Sequence, residues 1–192
     1  MALIATMLKK FNYFFHQPEI DLSFPSYALR MNDQTFQVMK ASDENISDLL
    51  VLEEQFYSGK TPWNKFSFES ELKKHANSIY LVVYKESTLV AFVGMRIQAQ
   101  EGHITNIAVK PTYQHQGIGT YLLKLMIELA KRNHAVQMTL EVRVDNSIAK
   151  KLYQSLGFKA NFIRKNYYAS EQMDALNMIK KFTSDIKEEA LN

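Results

Sequence analysis

Hydrophobic and polar residues alternate from Tyr27 to Lys40. Leu29 and Met31, then Phe36 and Val38, are spaced by polar neighbours, with Asn32-Asp33 as turn chemistry between them. This pattern predicts a β-hairpin. The period then lengthens: Ile46, Leu49, Leu50, Leu52, Glu53 and Phe56 fall on a helical repeat behind the N-cap residue types Ser42 and Asp43, and Gly59 ends it. Thr61-Pro62-Trp63 reads as a loop, and Ser67 as the cap of a short second helix through Phe68, Leu72 and Ala76. Two β-rich runs, Ile79 to Tyr84 and Thr88 to Gln98, flank the polar Lys85-Glu86-Ser87, which predicts a second hairpin. A strand from His103 to Val109, opened by Gly102 and ended by Pro111, leads to a helix from Gly117 to Arg132 with Asn133 at its C′ position. A strand (Val136 to Val144), a helix (Asn146 to Leu156, stopped by Gly157) and strands Phe158 to Tyr167 and Asp174 to Phe182 follow.

The predicted order is ββαα, ββ, βαβαββ. Strand–helix–strand alternation in the second half implies an α/β fold whose mixed central sheet is flanked by helices. Residues 1–25 show no sustained period and hold two of the four prolines, so they read as an N-terminal extension, loose or docked through Phe11, Phe14, Phe15 and Phe24. Met7 offers an alternative start. Residues 26–183 form one domain and 184–192 a charged tail.

Composition narrows the picture. A chain of 192 residues has room for one ordinary domain with an appendage, and 46% hydrophobic with 22% charged residues is a folded composition. The net charge of +3 is too small to announce nucleic-acid binding. The chain has no cysteine, which excludes disulfides, thiolate catalysis and Cys-rich zinc sites. Its five histidines lack metal-ligand spacing, so no metal is expected. No apolar run approaches the ~20 residues of a membrane span. The apolar Ala2 to Leu8 precedes Lys9-Lys10, the wrong order for a signal peptide. The expected address is cytoplasmic, with no membrane or nucleic-acid partner.

Candidate chemistry lies in two segments. In the first, Asn106-Ile-Ala-Val109 enters a short loop, Gln114-His115-Gln116-Gly117-Ile118-Gly119, that opens a long amphipathic helix. Glycines there permit close backbone approach, and unpaired helix N–H groups with the positive end of the dipole suit a pyrophosphate. Simple tight packing accounts for two glycines as readily. The lack of a following Gly-Lys-Ser/Thr argues against a triphosphate loop, and a Gly-x-Gly-x-x-Gly pattern that stops at its second glycine argues against a dinucleotide loop. In the second segment, Leu140 to Phe158, Glu141 and Arg143 share one strand face, while Ile148, Leu152 and Leu156 form a helical core stripe beside Ala149 and Tyr153. By spacing alone Glu141 is a half-exposed carboxylate near Arg143, and Tyr153 a packing residue.

Gln114-x-x-Gly117-x-Gly119 after Asn106-Ile-Ala-Val109 resembles the acetyl-CoA motif of the GNAT superfamily, Gln/Arg-x-x-Gly-x-Gly/Ala. The resemblance implies the GNAT acyltransferase fold. It also implies that Gln114, His115, Gln116, Gly117, Ile118, Gly119 and Thr120 hold the CoA pyrophosphate, while the backbone of Ile107, Ala108 and Val109 pairs with the pantetheine arm and supplies oxyanion donors. His115 stands where many members carry arginine, which removes a charge and leaves the amide cradle. The run Leu140-Glu-Val-Arg143 with Asn146, then Leu152-Tyr-x-x-Leu-Gly-Phe158, then Arg164-Lys-Asn-Tyr-Tyr168 and Asp174-Ala175, is similar to the bacterial ribosomal-protein-alanine N-acetyltransferases across roughly residues 61–180. That similarity implies Glu141 as general base, Tyr153 as general acid, Asn146 on the pantetheine arm, and Trp63, Tyr167 and Tyr168 along a peptide groove. The implied acceptor is the α-amine of a ribosomal protein beginning with alanine. Alternatives are a small amine, or a non-catalytic acyl-CoA-binding module. The chemistry is consistent: an α-amine titrates near about 7.7–8.0, far below lysine near about 10.4, so a nearby carboxylate suffices to deprotonate it.

Overall fold

The computed structural model describes residues 19–56 and 63–182. One sheet contains β1 (Tyr27–Met31), β2 (Gln34–Lys40), β3 (Ser78–Lys85), β4 (Thr88–Gln98), β5 (Glu101–Val109), β6 (Gln137–Arg143), β7 (Lys159–Tyr168) and β8 (Met173–Lys181). Their spatial order is β1-β2-β3-β4-β5-β6-β8-β7. Among these strands only β5 and β6 run parallel; the other neighbours are antiparallel. Parallel neighbours need a crossover, and α3 (Ile118–Arg132) supplies it. The other helices are α1 (Ile46–Glu54), α2 (Lys65–Leu72) and α4 (Ser147–Ser155).

Strand alternation divides the core between the two faces. Ile79, Leu81 and Val83 of β3 pack with Leu122, Leu123 and Met126 of α3, and Tyr153 of α4 joins that cluster. Tyr80 and Val82, pointing the other way, pack with Leu49 and Leu52 of α1 and Phe68 of α2. The mixed α/β sheet expected from the pattern is therefore present, with α1 and α2 on one face and α3 and α4 on the other.

Several local expectations differ. Asn64, not Ser67, caps α2: its Oδ1 accepts the Ser67 N–H at 2.9 Å, which places Ser67 in the first turn. At the end of α3 the left-handed residue is His134 (φ 60°), while Asn133 keeps φ −94°. On α4, Ile148 is 65% exposed and Tyr153 is buried. Five residues turn a helix by ~500°, so Ile148 lies about 140° round from Tyr153 and faces outward. α1 stops at Glu54; Gly59, Thr61 and Pro62 lie outside the described residues, as do Phe11, Phe14, Phe15 and the tail from 184. Within residues 19–25, Leu22 is buried and Ile20 and Phe24 pack against the α3-side core, so this part of the expected extension is docked.

Two irregularities prepare the site. The β4–β5 register shifts between Gly94 and Met95, which pair with Asn106 and Ile104 and leave Thr105 as the extra residue of a bulge. The β5–β6 ladder runs only from Glu101–Gln137 to Ile104–Leu140, although β5 continues to Val109 and β6 to Arg143. Beyond that point the two strands separate.

Candidate active site

The glycine loop lies at the end of β5, on one side of this gap. From Thr105 to Val109, β5 keeps β4 on one flank and has no strand of the described residues on the other. Gln114 folds the loop back by donating Nε2–H to the Val109 carbonyl at 2.9 Å. Gly117 caps α3 at φ +91°, a conformation that favours glycine. The first helical bond runs from Tyr121 N–H to the Gly117 carbonyl at 2.9 Å, so the N–H groups of Ile118, Gly119 and Thr120 have no intrahelical acceptor. A Cβ added at Gly117 would meet only Met31 Sδ at 3.7 Å, and one at Gly119 only Val109 and Leu152 at 3.5 and 3.7 Å. Those are ordinary contacts. Tight internal packing therefore does not demand either glycine, and the open cradle of amides at a helix start fits a pyrophosphate. Asn146 caps α4, its Oδ1 accepting Ala149 N–H at 3.0 Å, so its carbonyl oxygen is already engaged.

Glu141 extends from β6 on the α1/α2 side, and its side chain is only 6% exposed. Its Oε1 accepts Asn177 Nδ2 at 2.9 Å and Arg164 Nε at 3.0 Å; its Oε2 stands 3.3 Å from His103 Nε2. On the other side of the imidazole, His103 Nδ1 lies 2.8 Å from Thr139 Oγ1, which donates to Glu101 Oε1 at 2.6 Å. Burial holds the His103 imidazole below its usual pKa, against the pull of Glu141 and Glu101. In front of this network lies a cleft of about 450 Å³ walled by Trp63, Phe66, Ser67, Ser70, Glu71, Arg96, His103, Thr105 and Tyr167. It continues past Arg96 and His103 into a second hollow reaching Glu101. Phe66 is 77% exposed at the rim. Arg96 is held by the buried Glu71, which also binds Lys74 at 2.6 Å.

The profile of the acetyltransferase (GNAT) family matches residues 44–158. The chain belongs to this family. It is 41% identical over 128 residues to a putative ribosomal protein bS18-alanine N-acetyltransferase of Bacillus subtilis, covering 67% of this chain and 85% of that one. The Escherichia coli K12 ribosomal protein bS18-alanine N-acetyltransferase is 36% identical over 107 residues, covering 56% of this chain and 71% of the relative. The crystal structure of the E. coli ribosomal-protein-S18-alanine N-acetyltransferase superposes with a TM-score of 0.69 at 26% identity, over 81% of this chain and 99% of that one.

In this GNAT acetyltransferase, the two residues singled out for acid–base work lie on opposite faces of the sheet. Tyr153 is buried on the α3/α4 side with its ring edge-on to Phe158 at 6.0 Å, and Glu141 lies on the opposite face. Between those faces β5 and β6 are not paired with each other beyond Ile104 and Leu140. Trp63 and Tyr167 both line the cleft in front of Glu141; burial and the Glu141 charge raise the Tyr167 phenol pKa. Tyr168 does not line it and instead stacks edge-on against Tyr167 at 5.1 Å. His115, at φ 59°, is on the loop. Sequence reasoning missed His103, Thr139, Glu101, Phe66 and Arg96. The period-two face of β5 puts Glu101 and His103 on one side, and that of β6 does so for Thr139 and Glu141; only the pairing register joins the two sets.

Proposed function

We propose that this acetyltransferase moves the acetyl group of acetyl-CoA onto the N-terminal α-amine of a ribosomal protein that begins with alanine. The observation that carries the proposal is the pairing of an open amide cradle on one side of the β5–β6 gap with the buried Glu141 carboxylate behind an aromatic-rimmed cleft on the other. The names of its relatives support the choice of acceptor, and a ribosomal-protein acceptor implies a cytoplasmic address. An open cleft edged by Trp63, Phe66 and Tyr167 suits an extended peptide better than an enclosed small amine.

When bound, acetyl-CoA supplies a thioester carbonyl as electrophile and a thiolate as leaving group. The residues that would hold it are the loop amides from Gln114 to Thr120 for the pyrophosphate, the free edge of Ile107, Ala108 and Val109 for the pantetheine arm, and Asn146 through its Nδ2. Amides on that free edge are fixed donors for a developing oxyanion, which need no reorganisation as charge appears. Glu141 draws off the ammonium proton, directly or through an intervening group. Tyr153, on the other side of the gap, holds the proton destined for the leaving sulfur, and its oxygen is reprotonated by the second proton the amine gives up.

The deciding measurement is acetyl-CoA turnover on a peptide beginning with alanine, against the same peptide with its α-amine blocked, in wild type and Glu141→Gln. Turnover that requires the free α-amine and falls at least ~10-fold in the variant is expected, in line with loss of the carboxylate toward which the proton is drawn. Faster turnover of small amines than of the peptide would overturn the choice of acceptor.

A further inference from the structure

We propose that His103 Nε2, with Glu141 behind it, is the atom that takes the proton from the acceptor ammonium, and that Glu101 acting through Thr139 sets the imidazole tautomer this requires. The proposal rests on the α-amine acetyltransferase reading above and assigns its proton acceptor. Exposure separates the two candidates. The His103 side chain is 31% exposed and lines both halves of the cleft, whereas Glu141 is 6% exposed and lines neither. Glu141 Oε1 is already occupied by Asn177 and Arg164, and its Oε2 faces His103. An amine entering the cleft therefore meets the imidazole first.

Hydrogen-bond bookkeeping fixes the tautomer. An ionised carboxylate only accepts, so the single hydroxyl hydrogen of Thr139 goes to Glu101 Oε1 at 2.6 Å. Gln137 Nε2 binds the other Glu101 oxygen at 2.6 Å and holds the carboxylate in place. Thr139 Oγ1 can then only accept from His103, so the neutral ring carries its hydrogen on Nδ1, 2.8 Å away. Nε2 is left with a lone pair beside a second acceptor, Glu141 Oε2, at 3.3 Å. In this tautomer no hydrogen lies between the two acceptors. A protonated primary amine, with three N–H groups, satisfies both at once.

In the step itself one ammonium N–H bond breaks, its electron pair remains on the amine nitrogen as the nucleophile, and the proton bonds to Nε2. The resulting imidazolium donates Nε2–H to Glu141 and Nδ1–H to Thr139. The charged groups facing the ring are Glu101 on its own strand, Arg96 on β4, Glu141 on β6 and Arg164 on β7; burial and the two arginines keep the ring neutral before the amine binds. Glu141 serves to orient the ring and to offset the charge it gains, and Glu101 is a positioning residue.

The test combines nitrogen-detected NMR of the free full-length enzyme with steady-state kinetics on the peptide. At neutral pH the wild-type His103 ring is expected to be neutral with its hydrogen on Nδ1. Glu101→Ala frees the Thr139 hydroxyl to donate to Nδ1. The ring hydrogen should then move to Nε2, and kcat should fall at least ~10-fold with the KM for acetyl-CoA unchanged. Glu101→Gln, whose amide oxygen still accepts from Thr139, should keep the wild-type tautomer and most of the activity. His103→Gln should lose about 100-fold in kcat while melting within a few degrees of wild type. A hydrogen on Nε2 in the wild type, an unmoved tautomer in Glu101→Ala, or His103→Gln activity within threefold of wild type would each overturn the proposal. The tautomer is read without any acceptor, so failure to acetylate the peptide sinks the acceptor assignment and leaves this inference to be decided by NMR.

Discussion

Glu53 is a carboxyl at 2% exposure whose two oxygens both receive the Asn106 amide, at 3.1 and 3.0 Å. Burial outweighs that hydrogen bonding and raises its pKa from 4.5 to about 7. The folded state thus binds the proton more tightly than the unfolded state. Glu53 imposes no penalty below pH 4.5, and stability falls as pH rises toward 7, by up to about 3 kcal/mol once the group is ionised in both states. Glu53→Gln keeps the shape and removes the charge. Urea melts of wild type and variant are expected to converge near pH 4.5 and to favour the variant by about that amount at pH 8; a gap constant with pH would show that Glu53 is not titrating. Much of this was legible one residue at a time. Glu53 sits on the apolar helical repeat with Leu49 and Leu52, and Asn106 opens the strand before the glycine loop. Their meeting was not, because 53 residues separate them and no local pattern encodes which strand passes beneath which helix. His103 was lost the same way: on its own it is one histidine in a strand, and its significance comes from register with Thr139.

Elements were read most securely where one periodicity ran unbroken, as through β3, β4 and α3. Errors fell where a side chain has two uses. Ser67 is a good cap residue, yet Asn64 three positions earlier takes that role; Ile148 is apolar, yet the short α4 turns it outward. The length of β5–β6 pairing has no signature in hydrophobic pattern, so the gap that makes the site was illegible, while the loop beside it was written in its glycines. One glycine of that loop, Gly117, and one at the β4 bulge, Gly94, make separable predictions. At Gly117 a Cβ has room, but the backbone is left-handed, so Gly117→Ala should cost about 1 kcal/mol and raise the KM for acetyl-CoA several-fold by turning the loop amides. At Gly94 a Cβ would lie 2.2 Å from the ring of the buried Tyr80, whose hydroxyl is bonded to Thr105 at 2.8 Å. Gly94→Ala should therefore cost more, about 2–3 kcal/mol, by forcing that ring off the bulge. Thermal melts paired with acetyl-CoA titration check both; unchanged acetyl-CoA affinity in Gly117→Ala would separate the loop from cofactor binding.

At the scale of the whole molecule, the segment before β1 and the β1–β2 hairpin both precede the stretch that matches the family profile, yet each touches a different part of the machinery. Residues 19–25 are fastened to the end of α3. Asn133 accepts Asp21 N–H at 2.7 Å and donates to Asp21 O at 3.0 Å and Leu129 O at 2.9 Å. The Ser23 carbonyl takes Arg132 at 3.2 Å. This clasp lies at the opposite end of α3 from the glycine loop. The β1–β2 turn reaches that loop instead: Asn32 Nδ2 donates to the Gln116 carbonyl at 3.1 Å, and Met31 packs beside Gly117. Asn32 thereby fixes the Gln116 carbonyl from outside the loop, so the turn of the hairpin steadies the proposed cradle while Phe36 and Val38 of β2 belong to the core. The two contacts should come apart under mutation. Asn133→Ala strands partly buried partners and should lower stability by about 2 kcal/mol with no change in the KM for acetyl-CoA. Asn32→Ala breaks an exposed bond and should alter stability by under about 0.5 kcal/mol, yet raise that KM several-fold. Chemical denaturation and steady-state kinetics on the same two variants decide it. If Asn133→Ala moves KM and Asn32→Ala does not, the cradle is held through the clasp and the length of α3, and the turn merely rests against it.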